Sequence, residues 1–290
     1  MTTHTVFVYG TLMTDEYNHN HYLQDDWYIG KAIISGYDMY NIGAFPGIVP
    51  GEGIIPGELY AVDDDTMERL DYLEGEGSLY IRESAQVTMS TGEKTFASIY
   101  VYNQSVEGLE KIPAWKQEDY VWYVSYGSNM LRERFMHYIE GGAFEAGGAE
   151  HEACVDTTQP LAVKTYDIPY DMYFGNSSGS WEGGGVSFLD ITKSGSAKGV
   201  AYLITREQFE HVACQENGGC EPEYSVNWYN TVVTLGDMDG CEVVTITNDG
   251  VRPYNEPADA YLDTLKRGLR ENYPKMSEDE IDRYLNRCHR

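Results

Sequence analysis

The stretch GELYAVDDDTMERLDYLEG at residues 57–75 meets a second version of itself in GVAYLITREQFEHVACQEN at 199–217, without a gap and at a constant offset of 142. Gly57 matches Gly199, Tyr60 matches Tyr202, Glu68 matches Glu210 and Glu74 matches Glu216. These are four identities in nineteen positions, thin evidence alone. A second pair of segments stands ahead of them in the same order, which is how a duplication shows itself. The β-type run 5–8 leads into Tyr9-Gly10-Thr11-Leu12-Met13, and the run 121–125 leads into Tyr126-Gly127-Ser128-Asn129-Met130. Both read as a buried strand that ends in a Tyr-Gly-hydroxyl turn.

Each copy therefore predicts a strand, a short turn and a helix. The strands are expected at 58–62 and 199–204, and the helices at about 66–74 and 207–215. Further strands are expected at 96–102 and 242–247. Many short β runs between Gly-rich turns, with few helices, predict an α+β chain of two tandem small β-barrel domains with flanking helices. The polar stretch 106–118, with Pro113, marks the boundary, so the domains are expected at 1–118 and 119–290. The second copy carries additional helices. Pro257 opens an amphipathic one with Ala258, Tyr261, Leu262, Leu265 and Leu269 on its apolar side, and Ser277 with Glu280 forms a capping box before the last.

The chemistry lies in the repeated helix. Met67, Leu70 and Glu74 stand at i, i+3 and i+7, as do Phe209, Val212 and Glu216, so a glutamate occupies the next slot of a core-facing stripe in both copies. A carboxylate placed there is desolvated, its pKa rises, and it suits general base and then general acid work near neutral pH. The plainer reading is a helix-end glutamate that reaches solvent. For the YG turns the choice is similar: a tight turn that needs glycine for its backbone, or a set of unpaired N–H groups able to hold a carboxylate or a developing oxyanion.

Bulk properties narrow the field. The 290 residues carry a net charge of −27, split as −13 over 1–118 and −14 over 119–290. Such a chain is not built to hold nucleic acid or an anionic membrane, and an anionic substrate must be held by local donors. A saline or acid-rich setting would select the same surface. The start MTTHTVFVYGTLM has no basic and apolar leader, and no apolar run of about 18 residues follows. A cytoplasmic location is expected. The five cysteines lie in the second half without a CxxC pair, and the seven histidines form no ligand spacing, so reduced thiols and a reaction without metal or cofactor are expected.

At these residues the sequence resembles the γ-glutamyl cyclotransferase superfamily. YGTLM at 9–13, LDYLEG at 70–75 and Tyr80-Ile81-Arg82 are similar to the branch of γ-glutamylamine cyclotransferases and avirulence-induced proteins. YGSNM at 126–130, Phe174-Gly175-Asn176-Ser177, Trp181-Glu182-Gly183-Gly184 and Gln215-Glu216-Asn217 are similar to the glutathione-degrading branch, and the tandem arrangement resembles two-domain bacterial members. The resemblance implies closure of 5-oxoproline by attack of a γ-glutamyl α-amine on its own side-chain carbonyl, expelling an amine, amino acid or peptide, with a small γ-glutamyl molecule as the partner. It also implies that Glu74 and Glu216 are the acid/base groups, and that Tyr9, Gly10, Thr11, Leu12 and Tyr126, Gly127, Ser128, Asn129, Met130 hold the glutamyl moiety, with Tyr261 contacting substrate. Two departures stand out: the first copy has Ala44-Phe45-Pro46-Gly47 in place of the Gly-rich segments, and the second has Asn217 where many relatives have glycine directly after the glutamate. A binding or scaffold protein on the same fold, and a hydrolase or acyltransferase of γ-glutamylated molecules, remain as alternatives. The fuller motif set places the greater share of the chemistry in the second copy, each pocket being formed within its own half.

Overall fold

The computed structural model describes residues 3–145 and 150–288. It divides into two compact units, Met1–Glu118 and Asp119–Arg290.

In the first unit the strands are β1 His4–Val8, β2 Trp27–Asn41, β3 Pro46–Val62, β4 Tyr80–Met89, β5 Lys94–Tyr102 and β6 Lys111–Ile112, with helices α1 His19–Tyr22 and α2 Asp64–Glu74. The order β3-β1-β5-β4-β2 closes on itself because β2 also pairs with β3, giving a five-stranded barrel with β6 beside β2. Alternation along β1 sorts its side chains. Phe7 and Tyr9 join the barrel interior with Ile34, Met39, Leu59 and Ile99, while Val6 and Val8 join the layer under α2 with Tyr60, Met67 and Leu70. Of the long β2–β3 hairpin, Trp27↔Ala61 to Asn41↔Pro46, only the end of β3 coincides with an expected strand, the one at 58–62. The stretch read as a boundary is part of the unit, since β6 pairs with β2 and Ile112 and Ala114 are buried.

The second unit contains β7 Tyr120–Ser125, α3 Arg132–Glu140, β8 Gly142–Ala143, β9 Glu150–His151, β10 Ala162–Ile168, β11 Asp171–Gly175, β12 Val186–Asp190, β13 Ala197–Thr205, α4 Arg206–Glu216, β14 Thr231–Met238, β15 Cys241–Thr247, α5 Asp259–Asn272 and α6 Glu278–Arg287. Its main sheet has the order β10-β13-β7-β15-β14, and β11–β12 form a separate hairpin. That hairpin is fastened to β15 by a side chain: the Leu189 N–H donates to Thr247 Oγ1 at 2.9 Å. The helix expected from Pro257 starts two residues later at Asp259, and the Ser277–Glu280 capping box is present.

The two units share a local plan. β1 lies between antiparallel β3 and parallel β5, and β7 lies between antiparallel β13 and parallel β15. The helices after β3 and β13 occupy positions 64–74 and 206–216, related by the same offset of 142. The matched glycines explain why the strands can approach: a Cβ on Gly57 would lie 2.3 Å from the Val8 carbonyl oxygen, and one on Gly199 2.6 Å from Val124 Cγ1. Gly57→Ala is therefore expected to cost about 1–3 kcal/mol, the usual range for overpacking a filled core. Urea unfolding of the variant checks this; an unchanged midpoint contradicts it.

Candidate active sites

Both glutamates end a helix whose start is fixed by its own sequence. Asp63 caps α2, its Oδ1 accepting from the Thr66 N–H at 2.8 Å, and Gly75 closes the helix in the left-handed region at φ 59°. Thr205 and Gln208 form a reciprocal capping box at the start of α4. Asn217 replaces the terminal glycine and ends α4 differently, at φ −101°. Its side chain takes over the turn, with Nδ2 donating to the carbonyls of Ala213 and Tyr229 and Oδ1 accepting from the Tyr229 N–H, all at 3.0 Å. Met67 and Leu70, like Phe209 and Val212, are buried, so the stripe carries Glu74 and Glu216 back toward the YG turns.

In the first unit Tyr9, Gly10, Thr11, Leu12 and Glu74 line one pocket, with Phe45, Pro46, Tyr80 and Tyr100 among its walls. The cavity itself is small, about 30 Å³. The Tyr80 hydroxyl donates to the Pro46 carbonyl at 2.6 Å, and the Tyr100 hydroxyl to Asp71 Oδ1 at 2.8 Å. Gly10 lets Pro46 close the wall, since a Cβ there would meet the ring at 2.5 Å. Arg82 pairs with Asp71 at 2.9 Å, away from the pocket lining. Among the described residues no hydrogen bond reaches the Glu74 carboxylate, and its burial pushes the carboxyl up to about 7. The backbone N–H groups of Thr11 and Leu12 likewise have no partner among the described residues.

The far end of this turn is held by a residue that the sequence reading passed over. Glu58 is buried and accepts from the Thr14 N–H at 2.7 Å and from the Thr14 and Tyr60 hydroxyls at 3.0 Å.

In the second unit Asn129 Nδ2 donates to Glu216 Oε1 at 2.6 Å, joining the YG turn to the helix-borne acid. Asn129 is 2% exposed, and its Oδ1 has no hydrogen-bond partner. Burial raises the Glu216 carboxyl; the charge of Arg134 and hydrogen bonds from Tyr138 and Asn129 oppose that rise. Arg134, 4% exposed, donates through Nε to Ser128 Oγ at 2.8 Å and through Nη2 to the Tyr138 hydroxyl at 3.3 Å. Its guanidinium lies 5.1 Å from the centre of the Trp181 ring. Tyr261 is buried against Gly127: its hydroxyl donates to Ser187 Oγ at 2.9 Å and accepts from the Ser187 N–H at 3.0 Å. Met130 is buried and its carbonyl accepts from Asn272.

The two YG tyrosines serve the fold as well as the pocket. Tyr9 donates its hydroxyl to the Tyr100 carbonyl on β5, and Tyr126 donates to the Ile246 carbonyl on β15 at 2.7 Å. No group of three or more His, Cys, Asp or Glu side chains able to hold a metal is found among the described residues.

Residues 6–121 match the model of the family described as gamma-glutamyl cyclotransferase, AIG2-like. Over 116 residues the chain is 36% identical to the gamma-glutamylcyclotransferase family protein ytfP of Citrobacter rodentium, covering 39% of this chain and 96% of that protein. The chain belongs to the γ-glutamylcyclotransferase family. A stretch of 202 residues, 58% of the chain, is 31% identical to histone deacetylase 5 of Arabidopsis thaliana, of whose length it spans 30%. The crystal structure of YkqA from Bacillus subtilis aligns with 99% of this chain and 98% of its own, at 20% identity and a TM-score of 0.38. No helix among the described residues is long and apolar enough to cross a membrane.

Arg134 and Tyr138 are the second-site residues that the sequence reading missed. The signal was present: Leu131, Phe135, Tyr138 and Ile139 form an apolar stripe in and ahead of α3, and Arg134 is buried beside them. A charge carried into such a stripe is the same anomaly that singled out Glu216.

The raised Glu74 carboxyl has a consequence for stability. Because the folded state holds this proton more tightly than the unfolded chain, its contribution is fully present at low pH and is lost as pH rises through about 7. Glu74→Gln is expected to gain stability relative to the wild type between about pH 5 and 8. Paired urea curves across that range check it, and a difference that does not change with pH contradicts it.

Proposed function

We propose that this protein releases 5-oxoproline from a γ-glutamyl amine, amino acid or peptide, with one site in each unit. The observation that carries the reading is the Glu74 carboxyl, pushed up to about 7 by burial, sharing a pocket with the free N–H groups of the YG turn inside the span that matches the family. A group with that pKa is divided between its acid and base forms at neutral pH, as a group that must take a proton and then return it requires.

In the reaction the substrate's α-amine attacks its own γ-carbonyl carbon. A new C–N bond closes the five-membered ring, and the carbonyl oxygen becomes an oxyanion facing the Thr11 and Leu12 N–H groups. Glu74 accepts the proton that the attacking nitrogen sheds and delivers one to the departing nitrogen. The original amide C–N bond breaks, and no water is consumed. Nucleophile and electrophile are tethered, so the chain's task is orientation and proton transfer. Glu216, Ser128 and Asn129 take the corresponding places in the second unit. There Arg134 favours the ionised acid, and the buried Asn129 Oδ1 is available to an ammonium donor.

The motif resemblance of the two halves and the different surroundings of Glu74 and Glu216 favour a division by leaving group: γ-glutamylamines in the first unit, and γ-glutamyl amino acids or peptides in the second. Glu216→Gln is expected to reduce 5-oxoproline release from a γ-glutamyl amino acid by about 100- to 10,000-fold, and Glu74→Gln to do the same for a γ-glutamylamine. Each variant should leave the other activity largely intact. Assaying both variants side by side, with folding checked by circular dichroism, decides the matter. Full activity in both variants overturns the acid/base assignment, whereas release of free glutamate in place of 5-oxoproline assigns a hydrolase.

A further inference from the structure

The hairpin β11–β12, the segment after β15 and helix α6 enclose a cavity of about 320 Å³, within the range of about 300–1,000 Å³ usual for small-molecule pockets. Glu216, Asn129, Arg134 and Tyr261 are not among its lining residues. Lys193, Arg252 and Arg287 face it, together with Asp171 and Asp190. That is an excess of one positive charge in a chain whose net charge is −27.

The acids and Lys193 are already engaged. Asp190 accepts from the Thr192 N–H and hydroxyl and pairs with Lys193 at 3.0 Å, and Asp171 accepts from the Ser196 N–H at 3.1 Å. The two arginines are not. Neither forms an ion pair among the described residues, Arg287 lies over the Tyr284 ring, and Arg252 Nε is buried with no hydrogen-bond partner. A buried N–H without an acceptor carries an uncompensated desolvation penalty, which an acceptor brought by a ligand removes. Met172, Tyr173, Tyr254 and Tyr284 supply an apolar and aromatic wall.

We propose that this cavity is a second kind of binding site, for a small organic monocarboxylate held by Arg252 and Arg287 with its apolar body against the tyrosines. The planar guanidinium fork matches a carboxylate. The single excess positive charge suits a monoanion, and a phosphate dianion would meet Asp171 and Asp190 with one negative charge uncompensated.

Calorimetric titration of the full chain with benzoate, inorganic phosphate and benzyl alcohol tests the proposal. The Glu74→Gln, Glu216→Gln double variant serves as background, so the readout does not depend on the proposed reaction. Benzoate is expected to bind saturably, at least tenfold more tightly than the other two probes. Arg252→Met and Arg287→Met should each weaken it at least tenfold. Arg287 is exposed, so its variant keeps the test valid should the other fail to fold. Absence of benzoate binding, binding that survives in the Arg287 variant, or phosphate binding more tightly than benzoate would each overturn the proposal.

Discussion

A tyrosine hydroxyl buried at the end of a strand has to give its proton to an acceptor, and in both units the acceptor is a main-chain carbonyl of the parallel neighbour. Tyr9 reaches Tyr100 on β5, and Tyr126 reaches Ile246 on β15. A parallel pair cannot be joined by a tight turn, so the strand that supplies the carbonyl arrives only after a long excursion. That excursion includes the antiparallel partner β3 or β13 and the helix that follows it. Once the central strand is flanked on both sides, the chain leaving it must turn. The helix after the antiparallel partner then ends beside that turn. The juxtaposition of YG turn and helix-end glutamate thus follows from how the strand is held.

The same frame leaves the two glutamates in different surroundings. Glu74 has burial and three nearby tyrosines, Tyr9, Tyr80 and Tyr100, whose hydroxyls are themselves raised by burial and by its charge. Glu216 has burial with a cation and two hydrogen-bond donors against it. Arg134 accounts for much of this contrast, and its position in the YGSNMLRER segment corresponds to Tyr17 in the first copy, which is exposed. Arg134, with the Asn129 and Tyr138 donors, thus sets the electrostatics of the second glutamate apart from those of the first.

The α+β class, the closed barrel of the first unit and the repeated strand-helix element were legible because each is written in local signals. The β-type run 5–8 marked β1, the stripe Met67, Leu70 marked α2, and Ser277 with Glu280 marked α6. Of the long β2–β3 hairpin only the end of β3, at 58–62, was legible. Its runs are broken by Gly36, Pro50, Gly51, Gly53, Pro56 and Gly57, and β2 shifts register between Ser35 and Tyr37, so what appears as turn punctuation lies inside bent strands. Of the site, the two acids and the turns could be found by periodicity. Arg134 left the same mark, a charge beside an apolar stripe, whereas Glu58 could not be weighed without contacts, because its burial is recognised only by what surrounds it. The roles of the YG tyrosines also needed the third dimension, since a hydroxyl bound to a distant carbonyl leaves no mark in spacing.

The acidity of the chain ties these observations together. Under the proposed reaction, a γ-glutamyl compound would bring an α-carboxylate toward a surface of net charge −27, and a pocket that also held an unscreened carboxylate would repel it at close range. The two units contain two different ways of avoiding this. In the first, Glu74 stays protonated up to about pH 7, so a pocket with no cation in its lining admits a carboxylate without a second negative charge. In the second, burial still raises the Glu216 carboxyl, and the charge of Arg134 opposes that rise. Under the proposed reaction, raising the pH through about 7 would charge the first pocket against its substrate as it ionises the base, whereas in the second a charge that does not titrate stands beside the acid. Desolvation alone makes a base whose readiness and accessibility oppose each other; a buried arginine adds an opposing charge that pH does not remove.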